Sequence, residues 1–190
     1  NDLQLVIIFI FLGLGFGELL FGTLSDSFGR KPIVYIGVVI FILASLLVVF
    51  APSLNILLLG RIIQGVGLSA VRSVCIAIIR DTYEGERMAR IMSFIMTVFI
   101  LVPMLAPLLG QTILKLYDWQ AIFYFQLLFI TITIVWFLLR QKETLVIEKR
   151  IAFTRHLFIN GVAEFFRHKN SVLFTIVAGL LHGTFIAYLG

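Results

Sequence analysis

The apolar residues of this chain come in blocks. Runs at about 3–23, 33–51, 55–79, 89–114 and 119–139 are almost unbroken, and a sixth begins at 171 and continues to the last residue. Each is close to the roughly 20 residues a helix needs to cross the hydrocarbon core of a bilayer. In lipid a segment must satisfy its own backbone hydrogen bonds, so the pattern predicts an all-α membrane protein. Five spans are complete and the last is incomplete or barely complete. No useful length of polar and apolar alternation, the mark of a lipid-facing barrel, occurs.

What separates the blocks sets the topology. Residues 24–32, 80–90 and 140–170 hold Arg30, Lys31, Arg80, Arg87, Arg90, Arg140, Lys142, Lys149, Arg150, Arg155, Arg167 and Lys169, whereas 51–55 and 115–118 hold only Lys115. The positive-inside rule makes the crowded side cytoplasmic and Asn1 external. An external start calls for a further span before Asn1. The first residue is not Met and no basic segment precedes the first run, so both ends read as cuts.

Composition agrees and narrows the chemistry. With 61% hydrophobic and 13% charged residues and a mean hydropathy of +1.09, a soluble domain is excluded. The net charge of +5 is then a topology signal and not a nucleic-acid footprint. Cys75 stands alone, so a disulfide framework and a cysteine metal site are excluded, and a buried apolar role remains. Paired acids, a nucleophile elbow, a phosphate loop and metal-ligand spacing are all missing, so neither an enzyme nor a cofactor is expected. His156 and His168 fall in the basic linker, and His182 reads as a packing residue before a proton carrier.

The chain is organised around GTLSDSFGRKPIV, Gly22 to Val34, which reads as a tight polar hairpin between the first two spans. Gly22 is expected to let the helix end pack closely and Gly29 to permit the turn. Asp26 is expected to cap a neighbouring helix N-terminus, and Arg30 and Lys31 to hold the loop at the cytoplasm. Asp26 and Arg30 are expected to meet Asp81 at the end of the third run, as a latch on that side. In that run, LLLGRIIQGVGLSAV, Arg61 lies several residues into a membrane helix and demands a partner or a wet cavity. Gln64 can hydrogen-bond beside it, and Gly65 and Gly67 admit a close neighbour. Arg72 falls eleven residues on, on nearly the same stripe, where it either adds to an anion-attracting cavity or snorkels to the interface. Glu18 is the carboxylate firmly inside a span: a candidate proton site, or equally a structural acid near Arg30 or Lys31. Gly13, Gly15 and Gly17 suggest a close-packing face, and Pro103, Ala106, Pro107 and Gly110 a bent helix with another. Between Arg140 and Asn170, Leu157, Phe158, Val162, Phe165 and Phe166 recur at helical spacing among basic residues, as in an amphipathic helix lying along the cytoplasmic face of the membrane, the alternative being an ordinary soluble linker helix.

Three of these segments carry a resemblance. GTLSDSFGRKPIV resembles the loop signature between spans two and three of the major facilitator superfamily, with Ser27 where a base is common. The Arg61 to Gly67 segment resembles its fourth-span signature, and PMLAPLLGQ resembles its antiporter signature, with Gln111 where a second glycine is usual. Arg80 with Asp81, WQAIF at Trp119 to Phe123, and FFRHKN resemble the Bcr/CflA group of drug:proton antiporters, although Glu18 and the Asp118, Trp119, Gln120 series depart from it.

The resemblance implies a fragment of a twelve-span bundle: residues 1–140 as an N-terminal bundle lacking span one, 141–170 as a cytoplasmic linker, and 171–190 as the start of span seven. It implies a multi-pass, monomeric exporter in a bacterial inner membrane, exchanging a small-molecule substrate for protons. Glu18, Arg61, Gln64 and Arg72 would serve coupling, and Ala106, Pro107 and Gly110 the antiporter helix. A dedicated carrier of an amino acid, sugar or siderophore, or a non-transporting fragment, are the alternatives.

Overall fold

The computed structural model describes the backbone of residues 2–152 and 154–189, with side chains at 2, 3, 149, 155, 157, 161, 162, 182 and 185–189 outside the description. The helices are α1 (Asp2–Phe28), α2 (Arg30–Val49), α3 (Leu54–Thr82), α4 (Gly85–Leu116), α5 (Gln120–Arg140), α6 (Arg155–Arg167) and α7 (Lys169–Leu189), with a short 3-10 turn at Ile147–Lys149. Of these, α1 to α5 are long and apolar enough to cross a membrane. The uninterrupted described stretch of α7, Lys169–Leu181, is shorter than that.

The polar hairpin is much smaller than its composition suggests. Helix α1 runs on through Thr23, Ser25 and Asp26, and α2 starts at Arg30, so Gly29 alone connects them. Two local devices make this work. Ser25, Ser27 and Thr23 donate to carbonyls three or four residues back, which keeps their hydroxyls satisfied within a helix. Pro32 stands in the first turn of α2, where a missing N–H costs nothing. Gly29 has φ of 100°, a conformation that side chains disfavour, so the reversal falls on the residue that tolerates it.

Packing is concentrated on α3, which lies against both α1 and α2. Small residues set the approach. A Cβ at Gly13 would run into the Ile62 carbonyl, one at Gly65 into the Ile10 carbonyl, and one at Gly67 would lie 2.6 Å from the Gly37 oxygen. Such contact is how membrane helices gain dispersion energy when lipid is as apolar as their side chains. Gly22 does not share in it: a Cβ there would meet no described atom within 4 Å. The close-packing face therefore sits deeper in α1, at Gly13 and Gly17, while Gly15 faces open space. Around these contacts Phe21, Ile33, Val34, Val38, Ala70 and Val74 form the core. Helix α4 has no buried residue among those described, although Pro103 and Pro107 lie inside it.

Contacts divide the chain into two compact units, residues 1–150 and 151–190. The first therefore includes the ten residues after α5 as well as the five spans. The second holds α6 and α7, in which Phe165 and Phe166 are exposed and His168 contacts Glu164 at 3.1 Å. The side chains of Leu157, Val162 and His182 are outside the description.

Candidate functional site

Three groups of polar side chains are built into an otherwise apolar unit. The first lies at the basic end. Arg30 is 6% exposed. Its Nη1 pairs with Asp26 Oδ1 at 2.6 Å and its Nε with Asp81 Oδ2 at 2.8 Å. Nη1 also donates to Ser25 Oγ at 2.8 Å. Three helices thus meet at one guanidinium: the end of α1, the start of α2 and the end of α3. A planar fork can serve two carboxylates at once, which an ammonium cannot. The juxtaposition of Asp26, Arg30 and Asp81 matches the arrangement expected from sequence. Lys31 stands outside it, with its Nζ 5.8 Å from the centre of the Tyr35 ring.

The cap on α2 has a different source from the one expected. Asp26 belongs to α1 and is engaged by Arg30, so it does not reach the N-terminus of its neighbour. Glu143, three residues beyond the end of α5, does. Its Oε1 accepts from the Arg30 N–H and its Oε2 from the Lys31 N–H, each at 3.0 Å. Oε1 also accepts from the N–H groups of Thr144 and Leu145 at 3.0 and 3.1 Å. Partial burial raises the pKa of this carboxyl, but the four backbone donors outweigh it and hold Glu143 below the usual carboxylate range. Thr144 Oγ1 donates to Asp81 Oδ2 at 3.4 Å, which joins the same segment to the acid of α3. Sequence reasoning missed Glu143; the signal was an acid between Arg140, Lys142 and Lys149, directly after a span.

The second group is centred on Arg61. Seven residues into α3, about 10 Å at 1.5 Å per residue, its Nη1 donates to Gln64 Oε1 at 3.1 Å. Gln64 Nε2 donates to Ser45 Oγ at 2.8 Å, and Ser45 Oγ to the Phe41 carbonyl at 2.7 Å. Gln64 and Ser45 are 1% and 0% exposed, so this chain runs through the interior between α3 and α2. The guanidinium carbon lies 4.7 Å from the centre of the Phe123 ring. Among the described residues no ion pair involves Arg61, and its buried Nε has no partner.

The third group joins Arg72 to Glu18, Nη1 to Oε1 at 3.1 Å, with side chains 45% and 37% exposed. The Phe99 ring of α4 lies 5.8 Å from the same guanidinium. Glu18 therefore pairs with an arginine of α3 and not with Arg30 or Lys31, and Arg72 is held by a partner ten residues short of its helix end. The two arginines share a stripe of α3 yet engage different neighbours. Ala106, Pro107 and Gly110 are exposed or half-buried on α4, and a Cβ at Gly110 would meet no described atom within 4 Å.

Five membrane-length helices, of which α1, α2 and α3 are joined by ion pairs, make a polytopic membrane bundle with an arginine deep in α3. The whole chain, residues 1–190, matches the model of the Major Facilitator Superfamily. The chain belongs to that family, one of membrane transporters and not of enzymes. It is 30% identical over 187 residues to an uncharacterised MFS-type transporter, YdgK, of Bacillus subtilis, covering 97% of this chain and 46% of that protein. It is 40% identical over 112 residues to the multidrug resistance protein MdtL of Klebsiella pneumoniae, covering 59% of this chain and 29% of the relative. The MdtL protein of Citrobacter koseri matches to the same extent. The chain thus spans less than half the length of these relatives.

Proposed function

We propose that this chain is part of a bacterial inner-membrane exporter that releases small molecules outward in exchange for protons, by alternating access between two helical halves. Residues 1–140 act as one half, 141–170 as the cytoplasmic linker, and α7 opens the other half. The observation that carries the reading is Arg61. A guanidinium this deep in an apolar helix, held by an amide and a ring, keeps its charge available to a carboxylate or a substrate within the bundle. A nearby cation favours the ionised form of an acid, and protonation of that acid relaxes the attraction. Glu18 with Arg72 offers such an acid. The relatives named as multidrug resistance proteins support drugs as the cargo, and Pro107 with Ala106 and Gly110 supports export. The Asp26, Arg30 and Asp81 cluster acts as the cytoplasmic latch.

The test uses the full-length protein in sealed vesicles carrying a pH-sensitive dye. Ethidium and chloramphenicol, one cationic and one neutral, are expected to drive proton movement opposite to their own. Transport without any pH change overturns antiport. An Arg61→Ala variant that transports at the full rate removes Arg61 from the mechanism.

A further inference from the structure

We infer that Phe123 is the positioning residue for Arg61: its ring holds the guanidinium in place beside Gln64. The function given to Arg61 rests on the reading above; the contact itself does not. Phe123 is the single buried residue of α5 among those described, 5% exposed. The one side chain this helix buries is thus placed against a membrane-helix arginine for which no ion pair occurs among the described residues.

Both sides of the guanidinium are fixed. Trp119 meets Phe123 edge to face, with centroids 5.9 Å apart and planes at 88°. Val48, Val49 and Leu57 complete the packing around the ring. On the other side, Ser45 takes the Gln64 Nε2 hydrogen, which leaves the Gln64 oxygen toward Arg61. A cation 4.7 Å from a ring centroid is within range of the ring quadrupole, and the attraction grows as water is excluded. WQAIF, noted in the sequence only as a resemblance, thereby acquires a physical role: Trp119 sets the ring and the ring sets the arginine.

A ring that merely fills space and one that holds a cation respond differently to fluorine, which withdraws charge from the ring face while barely changing its size. Thermal unfolding of the full-length protein in detergent would be followed with phenylalanine and its mono-, di- and trifluoro analogues at 123. The midpoint is expected to fall on the order of 1 °C per fluorine, and the same series in an Arg61→Gln background to be flat. Equal slopes in the two backgrounds, or no fall in the native one, overturn the proposal. Should Arg61→Gln not fold, the native series still decides, with Phe123→Trp expected to retain the midpoint and Phe123→Leu to lose it. A sloping stability series alongside vesicles that move no protons would overturn antiport and leave this contact standing.

Discussion

Replacing Glu143 by alanine removes an acceptor shared by four backbone donors, two of which, at Arg30 and Lys31, belong to the first turn of α2. Those N–H groups have no partner within their own helix, so their protection depends directly on this carboxylate. Loss of a helix cap costs about 0.5–2 kcal/mol. Because Glu143 remains accessible to water, the lower half of that range applies, about 0.5–1 kcal/mol. At 1.4 kcal/mol per decade this is about a two- to fivefold faster amide exchange. Hydrogen–deuterium exchange on the full-length protein, read on peptides spanning 29–34, measures it. Peptides from the middle of α2 should not change. Unaltered exchange at 29–34 would refute the cap, and acceleration along the whole of α2 would mean that the variant had loosened the helix instead. The sign with pH follows from the depressed pKa of Glu143: its contribution is fully present above the ordinary value of 4.5 and is lost as pH falls through the lower native value. Corrected for intrinsic rates, protection should therefore be the same at pH 7 and pH 5.

If the cluster acts as the proposed latch, Asp26→Asn should lower the transport rate more than substrate binding, because it breaks the Arg30 pair and leaves the central groups intact; equal losses in rate and in affinity would contradict this. Gly29→Ala forces a Cβ onto a φ of 100° and to 2.9 Å from both Glu143 Oε2 and Arg150 Nη2. It should destabilise by about 1–2 kcal/mol, read as a lower unfolding midpoint in detergent. Glu18→Gln and Arg72→Gln each leave one charge of an intramembrane pair unmatched, so the double variant should be more stable than the sum of the singles implies. Strict additivity would show that the pair is uncoupled.

The spans were legible because hydropathy is a property of composition, and lipid leaves a long apolar run little choice of structure. The meeting of Asp26, Arg30 and Asp81 was legible as well, since a buried base between two helix ends must find acids. The extent of the hairpin was not. Ser25, Asp26 and Ser27 read as loop by type, but their hydroxyls and the Arg30 contact allow the helix to continue to Phe28. Glu143 was invisible for another reason: it acts 113 residues from Arg30, and no local spacing announces such a pairing. Ser45 and Phe123 were likewise hidden, one in an apolar run and one in a quoted motif, because their meaning comes from α3.

Arg150 lies close enough to Gly29 that a single methyl would crowd it, and Glu143 grips the next two amides. The segment that follows α5 is thereby moored at the one-residue connection between α1 and α2. A pull strong enough to release Glu143 would uncap α2 and withdraw Thr144 from Asp81, so traction on the connecting segment would be felt as a change in charge balance around Arg30.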